Sequence, residues 1–318
     1  MRADIPTYAE LADRTDGPAG SSWGLFGPRD EVGAINMIGA EDVVSASRLV
    51  KKGAVFSLDH PVNAFPPTPA RPAATHSVIT MAPNWRDDRL DSFYLQQTSQ
   101  VDGLRHTRHP VHGFYGGVSP DSLVAGDPTI GVNRWADRCI VGRGVLIDVA
   151  RYREHIGKPL DHAAGEPITT ELLDETLEYQ RTDLSSGALV LLRTAFTEYL
   201  ASFDGQRPTT SAGLRQDRET VRWLWDHRVP LAASDNNALE CLPVVDGSPF
   251  RGGGETMFDG TMHFELIAML GMVVGELWKL DELALDCASD GVYEFLLVVK
   301  PLNLIGGVGS PPNATAIK

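Results

Sequence analysis

Apolar, β-branched runs recur along the chain at the length of strands. Residues 54–58 (AVFSL), 144–149 (GVLIDV), 188–193 (ALVLLR), 230–233 and 292–300 (VYEFLLVVK) are such runs, bounded by polar or glycine-containing segments. A short apolar run between turn signals is typical of a strand buried on both faces. The pattern therefore predicts strands over these five ranges.

Amphipathic segments alternate with the predicted strands. Helical spacing of apolar residues occurs at 41–51, 170–181, 216–226 and 262–270, and threonines at the start of the second segment offer N-terminal caps. Because strands and helices interleave without a compositional break, the sequence predicts one α/β domain over 1–318.

Two loops interrupt this pattern. Residues 16–27 are rich in Gly, Pro and Ser, and residues 61–76 (PVNAFPPTPARPAATH) contain five prolines. Prolines at that density exclude a regular helix or a central strand. We assign an N-terminal extension over about 1–40 and a Pro-rich loop over 61–75, which is either a lid or a solvated excursion.

Composition narrows the classes of partner and compartment. A net charge of −14 from 28 basic and 42 acidic side chains disfavours nucleic acid and anionic membranes as partners. Three scattered cysteines form no disulfide framework, and the amino terminus is too charged for a signal peptide. We expect a cytoplasmic protein with a small-molecule ligand.

A polar constellation occupies residues 93–117. If residues 95–102 form a strand, Gln96, Thr98, Gln100 and Asp102 share one face. Four buried polar groups need each other, a metal or a ligand, whereas a solvent-facing edge strand needs none of these. Both interpretations are open at this level.

Three histidines follow at intervals of three, His106, His109 and His112, after a turn at Gly103. A helix would place them on one stripe, and a Gly/Pro-rich loop would let them converge less regularly. Their proximity to Asp102 indicates acid–base or metal chemistry.

A second constellation contains His263 and Glu276, thirteen residues apart. On one straight helix they would lie about 20 Å apart and could not share a site. Gly271 is a natural helix terminator, after which the chain can turn back toward His263. The alternative is a capped helix followed by an ordinary surface glutamate.

At these residues the chain resembles the cyclase family that includes bacterial kynurenine formamidase, isatin hydrolase and trans-dienelactone hydrolase. The family signature is H-x-G-T-H-x-D-x-P-x-H, followed much later by a His and a Glu or Gln. The resemblance covers nearly the whole chain, with matching segments at 23–38, 141–151, 188–194, 231–240 and 301–317. It implies a swivelling β/α/β fold with a barrel-like sheet and flanking helices, assembled as a homodimer or homotetramer.

The resemblance also implies roles for individual residues. Asp102 matches the metal-binding aspartate, His106 the catalytic acid–base, and His263 with Glu276 the distal metal-binding pair. Gln96 and Gln100 stand where the family has its two ligand histidines. The form T-S-Q-V-D-G-L-R-H is typical of a divergent subgroup.

These matches predict a hydrolase that opens a small, cyclic amide or ester bond, such as a lactone, cyclic amide or aryl formamide. His106 would act as acid–base with Asp102 beside it. A metal-independent lyase or cyclase using the same pocket is the alternative, and a non-catalytic binding protein is a third class. Substrate contacts are predicted from Gln96, Gln100, Trp85, His112 and Phe114.

The predicted metal ligands are Asp102, His263, Glu276 and Gln100. This set is mostly oxygen with one nitrogen, which suits Mn²⁺ or Mg²⁺ better than Zn²⁺ and predicts labile binding. Manganese or zinc is the expected cofactor. The other possibility is a site without metal, whose polar groups bond to each other and to substrate.

Overall fold

The structure is a computed structural model that describes residues 5–184, 187–203, 207–254 and 256–318. Within these ranges nine strands form one mixed sheet in the order β1-β13-β11-β5-β7-β9-β10-β4-β12, curled into a half barrel with flanking helices. The strands are β1 (Val55–Ser57), β4 (Gln100–Asp102), β5 (Ile140–Asp148), β7 (Leu189–Arg193), β9 (Leu231–Ser234), β10 (Val273–Glu276), β11 (Glu294–Val299), β12 (Gly309–Ser310) and β13 (Thr315–Ile317).

Two smaller sheets complete the strand inventory of the described ranges. An antiparallel hairpin pairs β2 (Thr75–Ala82) with β3 (Trp85–Asp91), and a short parallel pair joins β6 (Pro167–Ile168) to β8 (Gly213–Leu214). Every residue of β3 is exposed. The hairpin therefore projects from the molecule.

The helices cover the sheet. They are α1 (Tyr8–Ala12), α2 (Ala40–Ser47), α3 (Asn133–Arg138), α4 (Val149–His155), α5 (Thr170–Gln180), α6 (Phe196–Leu200), α7 (Arg218–Asp226) and α8 (Asp281–Asp290), with 3₁₀ turns at Gly33–Met37, Tyr115–Gly117 and Pro120–Ser122 and a π-helix at Phe264–Met269. Helix α2 packs on β5 and β11, and α5 packs on β5, α4 and α7. In the described part of the chain, each helix is too short or too polar to span a bilayer.

The centre of the sheet is parallel, and its strands are apolar because both of its faces are covered. Strands β5, β7, β9 and β10 run parallel in that order. Val145, Leu146 and Ile147 of β5 are all buried completely. A strand covered on both faces has a continuous apolar run instead of alternation, as the sequence predicts here.

Helix α5 shows how local sequence sets an element. The Thr169 side chain accepts a hydrogen bond from the Leu172 N–H (3.4 Å), and the helix ends at Gln180, followed by Arg181 with a left-handed backbone (φ 52°). Leu173 and Leu177 face the core four residues apart. The predicted cap and helix are confirmed.

The prediction of a strand over 95–102 is wrong for its first five residues. The strand is confined to Gln100–Asp102, because residues 94–97 form a turn closed by the Gln97 N–H donating to the Tyr94 carbonyl (3.0 Å). Thr98 donates instead to the carbonyl of Pro61 (3.3 Å). Of the four polar residues, only Gln100 and Asp102 share a strand face.

The predicted helix over 262–270 is a π-helix, and the N-terminal segment packs against it. The Ser22 N–H donates to the Met269 carbonyl (2.9 Å), and the Trp23 indole N–H donates to the Ala268 carbonyl (2.7 Å). π-Helices frequently occur at functional sites. The extension thus supports the element that follows His263.

The Pro-rich loop lacks strands and helices up to β2 but is attached to the body of the protein. Phe65 is buried in a cluster with Phe196, Leu200 and Leu277. Thr68 and Arg71 exchange two backbone hydrogen bonds of 3.0 and 3.1 Å. The loop therefore has a fixed apolar contact and a local turn.

Candidate active site

Polar side chains gather at the carboxyl ends of the parallel strands, where α/β sheets commonly bind ligands. Arg193 at the end of β7 pairs with Asp148 at the end of β5 (2.9 Å). Asp235, directly after β9, accepts hydrogen bonds from the Thr194 N–H (2.8 Å) and hydroxyl (2.7 Å). Glu276 ends β10 at the same edge of the sheet.

The antiparallel pair of β4 and β10 brings Glu276 to the first constellation. In its register Glu276 lies opposite Gln100, and Val274 lies opposite Asp102. Residues two apart on a strand share a face, so Gln100 and Asp102 both project toward Glu276's side of the sheet. The Gln100 side-chain amide donates to the Glu276 carboxylate.

His263 reaches the same cluster because the chain reverses after the π-helix. Gly271 has a left-handed backbone (φ 67°), and a Cβ there would lie 2.6 Å from the Tyr115 ring. After this turn β10 runs back, and His263 Nε2 lies 3.2 Å from Glu276 Oε1. Glu276 is buried, so the interpretation of it as a surface residue is wrong.

Glu240 orients His263 from behind. This fully buried carboxylate accepts hydrogen bonds from the Met262 N–H (2.6 Å) and from His263 Nδ1 (2.6 Å). Because Nδ1 is bound to Glu240, Nε2 is the nitrogen that faces Glu276. Burial alone would lower the pKa of His263, but its hydrogen bonds to Glu240 and Glu276 hold that pKa well above the ordinary value.

The cluster has the donor set and the unpaired atoms of a cation site. Ligand atoms of Asp102, His263 and Glu276 lie within 4.8 Å of one another, and all three residues are buried. Both carboxylate oxygens of Asp102 and the Oε1 of Gln100 are buried without a hydrogen-bond partner. Buried acceptors without partners are costly, and a bound divalent cation would satisfy them.

The charges around Asp102 also favour a bound cation. Burial raises the pKa of its carboxyl, His106 opposes the rise, and the Glu276 carboxylate adds to it. Two carboxylates in one buried space repel each other unless a positive charge lies between them. The residues present therefore fit a divalent cation.

His106 lies beside this cluster at the wall of a cavity. Its Nδ1 is 3.5 Å from Asp102 Oδ1, and its side chain is 26% exposed. The His106 N–H donates to the Gly103 carbonyl (2.8 Å), which closes the turn that the sequence predicts after β4. His106 is thus in contact with both the cluster and the solvent-accessible space.

The cavity has a volume of about 300 Å³. Its lining residues come from the strand ends and the residues after them, the His106 turn, the Pro-rich loop, and the start of the π-helix with the segment before it: Arg71, Gln100, His106, Thr107, Asn237, Ala238, Phe258, Thr261, His263, Phe264 and Glu276. This volume lies at the lower end of ligand pockets. The cavity therefore suits a small organic molecule.

Residues 56–240 match the family model described as "Putative cyclase". The chain belongs to this cyclase family. No curated protein sequence matches it significantly. A crystal structure described as a novel cyclase is 31% identical with a TM-score of 0.80, and the match covers 94% of this chain and 99% of that one.

Two isatin hydrolases show the same fold at lower identity. Isatin hydrolase A from Labrenzia aggregata, solved with benzyl benzoate, is 18% identical with a TM-score of 0.56, covering 87% of this chain and 97% of that one. An isatin hydrolase bound to the product analogue thioisatinate is 17% identical with a TM-score of 0.56, covering 88% and 98%. These two likenesses concern the cyclase fold alone.

The cavity is lined by some of the site residues that the sequence predicts and not by others. Gln100, His106, His263 and Glu276 line it. Gln96 lies instead beside Gly309, where a Cβ would come within 2.5 Å of its amide nitrogen. The difference arises because residue 96 lies in the turn before β4.

The other three predicted substrate contacts lie outside this cavity. Trp85 is 70% exposed at the start of β3, and Phe114 packs against the hydrophobic core. His112 stacks on His109 with ring centroids 4.8 Å apart and lines a separate cavity of about 330 Å³. The three histidines therefore do not converge on one site.

Several residues of the site are not predicted from the sequence. Arg71 comes from the Pro-rich loop, and Phe258 and Phe264 flank His263. Asn237 and Glu240 lie in the segment LAASDNNALE, whose strand is predicted but whose polar end is not interpreted. A run of Asp, Asn and Glu after a buried parallel strand is the signal that could have indicated them.

Replacement of Glu240 tests the orientation of His263. Glu240→Gln puts an NH₂ group where one of two N–H donors now finds an acceptor, so we expect the affinity of this candidate site for a divalent cation to fall by about 10- to 100-fold. Calorimetric titration with Mn²⁺ measures the change. Glu166→Gln is the control, because Glu166 likewise accepts a backbone N–H (from Asp161, 2.8 Å) and contacts a basic side chain (Arg153, 2.7 Å) but lies outside the cavity. Equal Mn²⁺ affinity in both variants would contradict the role of Glu240.

Proposed function

We propose that this cyclase-family chain is a hydrolase that opens a small amide or ester bond, in a lactone, cyclic amide or aryl formamide. One observation carries the proposal. Asp102, His263 and Glu276 converge within 4.8 Å, both Asp102 oxygens lack a hydrogen-bond partner, and His106 lies beside them at a cavity wall. This combines a cation site, an acid–base and room for a small ligand.

Each residue has a defined part in the chemistry. A divalent cation held by Asp102, His263 and Glu276, with Gln100 as a further ligand, would supply Lewis-acid polarisation of the scissile carbonyl. His106 removes a proton from the attacking water and delivers it to the leaving nitrogen or oxygen. Glu240 holds His263 in place, and the Asp102 carboxylate stabilises the protonated form of His106.

The donor set favours manganese or magnesium over zinc. Three of the four donors are oxygens, from two carboxylates and one amide, and hard oxygen ligands suit Mn²⁺ and Mg²⁺, whereas zinc prefers His and Cys. Zinc is the alternative cofactor. We expect weak, reversible binding because the family's two motif histidines are Gln96 and Gln100 in this chain.

A metal-independent lyase or cyclase is the second candidate. The observation that favours it is the hydrogen bond from the Gln100 amide to Glu276, by which the polar groups of the site partly satisfy each other. In that case His106 transfers a proton within the substrate, and Gln100 is a neutral hydrogen-bonding group.

A hydrolysis screen separates these candidates. Lactones, cyclic imides and aryl formamides are incubated with the purified protein, with and without added Mn²⁺ or Zn²⁺. Metal-stimulated ring opening or deformylation supports the hydrolase. Equal hydrolysis in the presence of a chelator would contradict metal assistance, and a product other than the hydrolysis product supports the lyase or cyclase. Ligand binding with no product from any compound would favour a binding protein.

We also propose a homodimer or homotetramer, acting on a small molecule in the cytoplasm. The apolar segment over 295–307 (FLLVVKPLNLIGG) begins in β11, which lies between β13 and β5. Leu302, Leu304, Ile305 and Val308 remain between 41% and 56% exposed after it. Light scattering should therefore give at least twice the chain mass of 34.5 kDa. A mass near 34.5 kDa at micromolar concentration would count against assembly.

A further inference from the structure

Arg71, in the Pro-rich loop, is held in place by hydrogen bonds of both its backbone and its side chain. Its backbone N–H donates to the Thr68 carbonyl (3.1 Å) and to the Thr68 hydroxyl (3.1 Å). Its guanidinium donates through one nitrogen to the Gln96 carbonyl. A surface arginine would have to be ordered by its ligand, whereas Arg71 is already oriented with donors remaining on its planar fork.

Among the described residues, Arg71 is the only Arg or Lys that lines the cavity. The acidic groups there are Glu276 and, directly behind the wall, Asp102. Without a positive group, a ligand carboxylate would be repelled by both of these acids. A divalent cation would offset the charges of Asp102 and Glu276 at the strand edge, and Arg71 supplies a separate positive group at the loop edge.

A second arginine reinforces the positive side. Arg207 donates to the Asn237 side chain, and Asn237 itself lines the cavity. Burial lowers the pKa of Arg207 to about 10, Glu276 opposes this and Arg71 adds to it. The two guanidinium groups and Glu276 thus share one electrostatic environment.

Size and shape restrict the ligand further. The volume of about 300 Å³ accommodates a small molecule, and Phe258 and Phe264 contribute aromatic rings to its lining. Aromatic side chains pack well against planar rings. A flat ring system with few substituents meets both conditions.

We propose that the substrate is a small planar compound that carries a carboxylate in addition to the scissile amide or ester, and that Arg71 binds this carboxylate. The inference rests on the proposed hydrolase. Arginine recognises a carboxylate through two parallel N–H donors, so the contact fixes orientation as well as charge. With the carboxylate at Arg71, the scissile carbonyl is directed toward the Asp102 and His106 side of the cavity.

The test uses two aryl formamides that differ only by a carboxylate, N-formylanthranilate and formanilide. Wild type with Mn²⁺ should favour N-formylanthranilate. Arg71→Met should raise its KM by about 10- to 100-fold, the loss expected for a charged hydrogen bond, and leave formanilide nearly unchanged. Arg71→Lys keeps the charge without the fork and should recover part of the loss. Arg89→Met, at an exposed hairpin pair with Asp91 (2.8 Å), is the matched control.

Two results would overturn the role of Arg71. One is an equal loss for both formamides in Arg71→Met, which indicates that the guanidinium only supports the Gln96 turn. The other is an unchanged preference for the carboxylate. Thermal unfolding of each variant shows whether its fold is intact.

Direct binding separates this inference from the hydrolase proposal. Calorimetric titration with benzoate and benzamide needs no turnover. If neither formamide is hydrolysed but benzoate binds at least 10-fold more weakly to Arg71→Met than to wild type and Arg89→Met, the carboxylate site stands and the reaction is different. Equal benzoate binding to all three proteins would contradict the carboxylate site.

Discussion

His106→Ala is expected to lower kcat by about 10²- to 10⁴-fold, the usual contribution of a positioned acid–base. His106 is the cavity-lining group that combines exposure to the ligand space with contact to Asp102, 3.5 Å away. Its loss removes proton transfer to and from the substrate without disturbing the buried cluster. The measurement is kcat on the best compound of the hydrolysis screen.

The control for this variant is His155→Ala, which removes an exposed histidine at the end of α4. Both variants should unfold at nearly the wild-type temperature and bind Mn²⁺ like wild type. Near-normal turnover by His106→Ala would show that another group transfers the proton.

Asp102→Asn is expected to weaken Mn²⁺ binding by more than about 100-fold, since a direct ligand contributes more than a partner that only orients one. It also removes one of two buried carboxylates that repel each other. The metal-free variant should therefore be as stable as metal-free wild type or more stable. Thermal unfolding with and without Mn²⁺ measures both effects.

The matched control is Asp88→Asn on the exposed β3, which pairs with His76 (2.6 Å) outside the cavity. Mn²⁺ should raise the unfolding temperature of wild type and of this control, and leave that of Asp102→Asn unchanged. Stabilisation of Asp102→Asn by Mn²⁺ to the wild-type extent would exclude Asp102 as a ligand.

The elements that the sequence predicts well are those whose signals are local. The cap at Thr169, the helix that follows and the apolar strand β7 depend on neighbouring residues. The reversal at Gly271 belongs to the same class, because a left-handed backbone strongly favours glycine. That one turn converts a separation of thirteen residues into a contact of 3.2 Å between His263 and Glu276.

Contacts between segments that lie far apart in the sequence are harder to predict. The turn before β4 depends on hydrogen bonds to the Pro-rich loop, and it removes Gln96 from the face that alternation assigns to it. Glu240 and Arg71 belong to the site because each contacts a residue that is distant in the sequence: Glu240 contacts His263, and Arg71 contacts Gln96. The aromatic character of Trp85 predicts a substrate contact, but Trp85 lies on the projecting hairpin and is exposed to solvent.

Metal dependence is the central claim, and a titration of chelator-treated protein tests it most directly. After treatment with EDTA, Mn²⁺ is added stepwise while calorimetry follows binding and a parallel assay follows hydrolysis. We expect one reversible Mn²⁺ site per chain, negligible activity at the start, and activity that rises with occupancy. Full activity in protein free of metal would contradict it, and stoichiometric zinc that resists EDTA would contradict the labile, oxygen-rich site.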